Sequence, residues 1–312
     1  MLAAANLRHV GLVIGGCNAV GYAITAGLET HKITDLVGVG SFVVAALSLS
    51  QRNGLLASAM AGSLAHPKLL LINVGVAIWG GRLASYLFSR VLQVGEDKRL
   101  HKFFRKPGEK YLDPKGSFFP VRLSFFWSIQ AAWGFLCMLP VTLLNSLPLI
   151  LKDGTHNPAL RIAGTPAMTA LALLPIVGLY SGILIESLAD WQKSSYRNDK
   201  KNDGHWCDKG MWKYSRYPNY FGELLTWWSI YFGSMSALLA PVAAEAAMIP
   251  WAPLVGLLSP AFVTLLLLKV SGIPLLEAKY KKEYKGNVGY QDYVSRTPLI
   301  VPNPFVRSKK DD

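Results

Sequence analysis

The chain alternates between long apolar runs and shorter polar, mostly basic stretches. In chain order, the runs fall at about Val10–Leu28, Asp35–Ser50, Leu69–Leu92, Leu123–Leu151, Ile162–Ile185, Asn219–Leu239 and Trp251–Val270. They are continuously apolar rather than alternating, which predicts helices and excludes a barrel. Most approach or exceed the roughly 20 residues that a helix needs to cross about 30 Å of hydrocarbon. The expected fold is an all-α, polytopic transmembrane helical bundle of about seven spans. Six to eight fit, because Gln51–His66 extends the second run, re-enters the membrane or lies at its surface. The first run lacks a basic leader and a small-residue cleavage site, and reads as a retained span. No repeat or linker marks a second domain, so residues 1–312 read as one integral-membrane domain.

Composition agrees. Of 312 residues 51% are hydrophobic and only 16% charged, and the mean hydropathy is +0.28. The net charge of +13 gathers in Gly95–Pro120, in the loop after Ile185, and in the tail from Glu277. Two spans separate each basic segment from the next, so all three emerge on one side, which the positive-inside rule makes cytoplasmic. That distribution excludes a nucleic-acid reading and leaves anionic cofactors or lipid headgroups as partners for the charge. Gly95–Pro120, with Phe and Tyr among its bases, reads as an interfacial amphipathic segment, and the tail lysines as a surface-lying helix. The three cysteines show no disulfide pattern. Cys207, His205 and Asp208 lack a second ligand pair at zinc spacing, so no metal is expected.

Ionisable residues at membrane depth point to function. Arg82 stands deep in the third run, sharing a helical face with Tyr86 and Arg90. Glu186 begins a stripe with Asp190, Lys193 and Arg197 at spacings of four, three and four. Ion pairing along a helix explains the last two, but Glu186 starts within apolar sequence. Pro218 suits a first helical position. The open N–H groups of that helix start, beside Lys213 and Arg216, suit phosphate. Asn219 and Glu223 follow one turn apart, with Tyr220 beside them. An aromatic interfacial belt accounts for Trp212, Tyr214, Tyr217 and Tyr220, and leaves Glu223 unexplained. The residues together predict a polar chamber at the cytoplasmic ends of the third, fifth, sixth and seventh spans, where a lipid-soluble substrate meets an anionic nucleotide.

The run DKGMWKYSRYPNYFGELLTWW resembles the G-x-W-x-x-S-R-H-P-N-Y-x-G-E motif of the steroid 5-alpha-reductase-like membrane proteins, in particular their DUF1295 branch. WGGRLASYLFSRVLQVGEDKR, ESLADWQKSSYR and LLLLKVSGIPLLEAKYKKEYKGNVGYQDYVSRTP resemble the same branch, in matching order over residues 35–304. The resemblance implies a membrane fold with a cytoplasmic NADPH pocket, hydride transfer to a carbon–carbon double bond of a steroid, sterol or polyprenoid-like lipid, and, in a eukaryote, the endoplasmic reticulum. It places Asn219 and Glu223 at the nicotinamide end, Asp190, Arg197 and Arg216 at ribose and phosphates, and Arg82 facing the cofactor, with Tyr220 also among the cofactor-binding residues. Glu186 falls where some reductases have Asn. Two departures stand out. The motif's His is Tyr217, and the substrate-polarising Tyr is Trp79, whose indole lacks a phenol's acidic proton. Tyr86 and Glu223 are then the candidate catalytic residues. Isoprenylcysteine carboxyl methyltransferases have a similar R-H-P-x-Y-x-G motif and use S-adenosylmethionine, which makes a membrane methyltransferase the alternative. A non-catalytic lipid-binding protein is the third reading.

Overall fold

The structure, a computed structural model, describes residues 2–62, 66–95, 100–151, 153–162, 166–240 and 250–305. The described residues are helices joined by turns. They are α1 (Leu2–Leu28), α2 (Thr34–Arg52), α3 (Leu55–Met60), α4 (Pro67–Val94), α5 (Val121–Leu144), α6 (Pro166–Asn198), α7 (Pro218–Leu238), α8 (Ala252–Leu265), α9 (Ile273–Glu283) and α10 (Val288–Arg296). The fold is all-α and polytopic. Six helical stretches among the described residues are long and apolar enough to cross a membrane: α1, α2, α4, α5, α6 from Ala172, and Ala252–Glu283. The 21-residue α7 has the length for a further span, but Asn219, Glu223 and its Trp, Tyr and Ser residues lower its hydropathy.

Where element ends differ from the sequence reading, local chemistry explains it. The ambiguous Gln51–His66 stretch contains the short α3. The run expected to reach Leu151 stops at Leu144, because Asn145 turns its side chain back onto Val141 O at 2.8 Å and Pro148 comes soon after. The fifth run starts at Pro166 and continues through its polar stripe to Asn198 as one helix. Pro241–Pro250, read as a connection, lies almost wholly outside the described residues.

The chain forms two compact units, Met1–Leu173 with Tyr231–Ser259, and Leu174–Ile230 with Pro260–Asp312. In the first, α1, α2, α4 and α5 pack together. Gln130, on α5, donates to Thr34 O at 2.9 Å. Trp79 is fully buried, with its ring edge-on to Phe42 at 5.3 Å. Arg82 and Tyr86 lie further along α4, both half-buried.

One end of this unit is tied by amides. Asn145 and Asn73 exchange two hydrogen bonds, of 2.9 and 3.0 Å. Asn6 and Asn53 donate to Asn145 O at 3.0 and 3.1 Å. Four helix ends thus meet at one residue, in surroundings where an unmet amide costs much more than in water. We expect Asn145→Leu to destabilise the protein by about 1–3 kcal/mol, read as a lower midpoint of thermal unfolding in detergent.

At the other end the described part of the basic loop, read from sequence as an interfacial amphipathic segment, is a knot of turns. Between Leu100 and Pro120 the only helical piece is the 3₁₀ turn His101–Phe103. Arg105 forms an ion pair with Glu29 at 2.7 Å, and Tyr111 donates to the same carboxylate at 2.8 Å. These bonds, Arg105 first, hold the Glu29 carboxyl below its ordinary pKa. Beneath them Phe119, Leu123 and Trp127 form a buried cluster.

Candidate functional site

The site is built in the second unit, on the crossing of α6 and α7. A methyl group on Gly182 would lie 2.5 Å from Thr226 Oγ1 and 2.7 Å from Gly222 O, and one on Gly222 would lie 2.6 Å from Glu186 N and from Gly182 O. The two backbones touch, and only glycine allows it. Gly178, one turn earlier, faces Ser229 in the same way. The pairings run 178 with 229, 182 with 226 and 222, and 186 with 222, so the helices are antiparallel.

This contact sets the positions of the polar residues along the same face. Glu186, only 3% exposed, stands one turn beyond Gly182. Asp190, also buried, accepts a hydrogen bond from Asn219 Nδ2 at 3.2 Å. Asn219 Oδ1 is buried with no hydrogen-bond partner. The structure therefore brings together Glu186, Asp190 and Asn219, three of the residues selected from sequence. Glu223 sits half-buried one turn further along α7. Tyr220 stacks on Tyr217 at 5.6 Å and 10°. Arg82 and Tyr86 belong to the first unit, on α4.

The stripe continues to Lys193 and Arg197, which meet rings. Lys193 Nζ lies 4.0 Å from the centre of Trp212 and 5.7 Å from that of Tyr280. Arg197 donates to Tyr280 OH at 3.1 Å. The loop carrying Trp212 is pinned to α6 by Trp212 Nε1 donating to Ala189 O, and by Met211 N donating to Gln192 Oε1, both at 2.9 Å. Its end is strapped to the tail: Asn303 N donates to Tyr214 O at 3.0 Å, Arg216 N to Pro298 O at 2.9 Å, and Ser215 Oγ to Ile300 O at 2.7 Å.

Glu277 receives what this strap aims. Arg216 Nη1 donates to both its carboxylate oxygens, at 3.0 and 3.1 Å, and Tyr217 OH to one of them at 2.6 Å. Charge assistance makes such bonds strong. Burial, then the bond to Glu277, pushes the Tyr217 hydroxyl well above its ordinary pKa. Glu277 lies on α9, which restarts after the π-turn Leu266–Val270, so the tail is two helices, α9 and α10, rather than one.

Lys193, Arg197, Arg216 and Glu277 line a narrow cavity of about 40 Å³, partly open to solvent, with Tyr280, Tyr284, Tyr290, Tyr293, Trp206 and Trp212 supplying rings. Two donors here, Arg216 Nε and Trp206 Nε1, are buried with no acceptor. Burial also raises the Cys207 thiol pKa. Among the described residues no group of three or more His, Cys, Asp or Glu could share a metal ion.

Sequence reasoning missed Glu277 and the aromatic wall. The signal was the spacing of Tyr280 and Tyr284 by four and of Tyr290 and Tyr293 by three, which puts each pair on one helical face. The Gly272–Ile273–Pro274 break, which restarts the helix just before Glu277, was a second signal.

The model of the family described as "Protein of unknown function (DUF1295)" matches residues 21–297. No curated protein and no solved structure matches the chain.

Burial is the main cause that pushes Tyr284 and Tyr290 up to about 12, against about 10 in an unfolded chain. Their neutral forms therefore stabilise the fold fully below pH ~10, and this contribution fades as pH rises towards ~12. Unfolding midpoints measured across that window should fall steeply, and less steeply in the double variant Tyr284→Phe/Tyr290→Phe. In a second measurement, Tyr217→Phe should lose about 1.5–3 kcal/mol with the bond to a carboxylate, read as a lower unfolding midpoint at pH 7.

Proposed function

Because the chain belongs to the DUF1295 family, we propose that it is an NADPH-dependent reductase of a carbon–carbon double bond in a lipophilic substrate. The observation that carries this reading is the chemistry of the side chains around the cavity of the second unit. Three cations, Lys193, Arg197 and Arg216, line it with the carboxylate of Glu277, among aromatic rings. A ligand suited to that lining is anionic, rich in acceptors and flat in part, which describes a phosphorylated dinucleotide. The buried donors Arg216 Nε and Trp206 Nε1, which lack acceptors, fit such a ligand. A site for the cationic sulfonium of S-adenosylmethionine has less need of three cations.

In this reading Lys193, Arg197 and Arg216 hold phosphates, and Tyr280, Tyr284 and Tyr290 give faces to a base. Asp190 and Asn219, already bonded to each other, present a carboxylate and an amide to ribose hydroxyls or a carboxamide. Glu186, Tyr220 and Glu223 extend that polar edge along α6 and α7. When bound, NADPH supplies a hydride. Glu223 orients the reacting end, while the roles of Arg82 in cofactor binding and Tyr86 as a proton donor rest on the resemblance. The basic loops and the tail face the cytoplasm, in a eukaryote from the endoplasmic reticulum. The apolar spans give a steroid, sterol or polyprenoid-like substrate its route from the bilayer.

The test is binding by the purified protein in detergent, with NADPH and S-adenosylmethionine titrated separately. NADPH should bind, and Arg197→Ala and Arg216→Ala should each weaken it about ten- to a hundredfold, the worth of a charged hydrogen bond. Glu223→Gln should also weaken it. Binding of S-adenosylmethionine alone would replace the reductase by a methyltransferase, and binding of neither would leave a lipid-binding protein.

A further inference from the structure

We propose that the basic loop between α4 and α5 is a binding site for the phosphate headgroup of an anionic phospholipid, separate from the nucleotide cavity and made within the first unit. The observations begin with the loop's own cavity. It has a volume of about 500 Å³ and opens to solvent, and its lining includes Lys102, Lys106, Lys115, Arg122, His101 and Ser117. The four Lys and Arg side chains lie at the surface, and among the described residues none of them has a carboxylate within ion-pair distance.

The one carboxylate in the lining is occupied with building the loop. Glu109 accepts from Lys106 N at 2.8 Å and from Ser117 N, closing the turn that carries Lys106 and Lys115. Its Oε1 occupies the place where a methyl group on Gly116 would stand, so a side chain there would displace the carboxylate. Nearby Arg105, which could have joined the cations, is spent on Glu29. Asp113 accepts from Lys115 N at 3.0 Å, bracing the same turn. Among the described residues, Glu109 and Asp113 thus fix backbone and leave the cations of the cavity for an external anion.

The loop also holds apolar groups outward. Leu112 and Phe118 have φ of 55° and 50°, a left-handed conformation that costs a non-glycine residue of order 1 kcal/mol. Both are exposed nonetheless, as is Tyr111. Leu112 N donates to Phe119 O at 2.8 Å, and Phe118 N to Asp113 O at 3.1 Å, so this shape is fixed by hydrogen bonds. Apolar tips beside a cationic hollow suit an interface with acyl chains below and phosphates above.

Position selects the source of the phosphate. The loop joins two membrane-crossing helices, Pro67–Gln93 and Val121–Leu144, and Arg122 lies in the first turn of the second. The cavity therefore opens where those helices leave the hydrocarbon, at headgroup depth. A free phosphate would meet the same cations without using the apolar tips.

The experiment uses the full chain in nanodiscs of a zwitterionic lipid, titrated with phosphatidylglycerol in one arm and with inorganic phosphate in another, with binding read by native mass spectrometry. The wild type should retain the anionic lipid. The triple variant Lys106→Ala/Lys115→Ala/Arg122→Ala should bind it about a hundredfold less tightly, at the strength of interfacial cations. Leu112→Ser/Phe118→Ser should weaken the lipid and leave inorganic phosphate unaffected. NADPH binding should not change in either variant, which separates this site from the nucleotide cavity. Equal retention of the lipid by the triple variant would overturn the proposal. So would displacement of the lipid by equimolar inorganic phosphate, which would make this a site for a soluble phosphate.

Discussion

The second unit depends on one backbone contact. Where Gly182 meets Gly222 there is no room for a side chain, and that closeness fixes the register of α6 on α7. Glu186, Asp190 and Asn219 come together because they lie within one or two turns of this point. A larger residue at either glycine would push the helices apart, and the Asp190–Asn219 hydrogen bond at 3.2 Å has no slack to absorb it. In a membrane, where apolar side chains gain little by leaving lipid, close packing of this kind has to hold helices together largely by itself.

That register also places the cavity. The loop after α6 is pinned back on the helix by Trp212, and its far end is strapped to the tail, so Arg216 and Tyr217 arrive aimed at Glu277. Arg216 and Tyr217 hold that carboxylate from the protein side, and aromatic rings stand beside it. In such surroundings each added charge matters more than it would at a surface. The cavity is lined by more cations than carboxylates.

Much of this was legible in the chain. The spacing of Glu186, Asp190, Lys193 and Arg197 gave one helical face, and α6 carries them that way. Pro218 gave the start of α7. What was hidden depends on partners far apart in sequence. Glu277 meets Arg216 across 61 residues and Arg105 meets Glu29 across 76, and no periodicity reports such pairs. Lys193 and Arg197 read as helix ion pairs until the rings of Trp212 and Tyr280 appear beside them. The basic loop read as amphipathic from its mixture of Phe and Lys. Pro107, Pro114 and Pro120 interrupt any helix there, and Glu109 finds two backbone donors instead. The two-unit organisation was not visible either, because the apolar runs are alike in composition on both sides of the division.

The amide knot of the first unit has a consequence for the order in which the protein is made. A chain emerging from its N-terminus presents Asn6, Asn53 and Asn73 before Asn145 exists. Through the synthesis of three long helices these amides share no common partner, and each must stay near water or find a temporary one. When α5 is complete, Asn145 arrives and accepts all three at once. Assembly of the four helices is thereby tied to the completion of the last. A chain interrupted before that point keeps polar groups that mark it as unfinished.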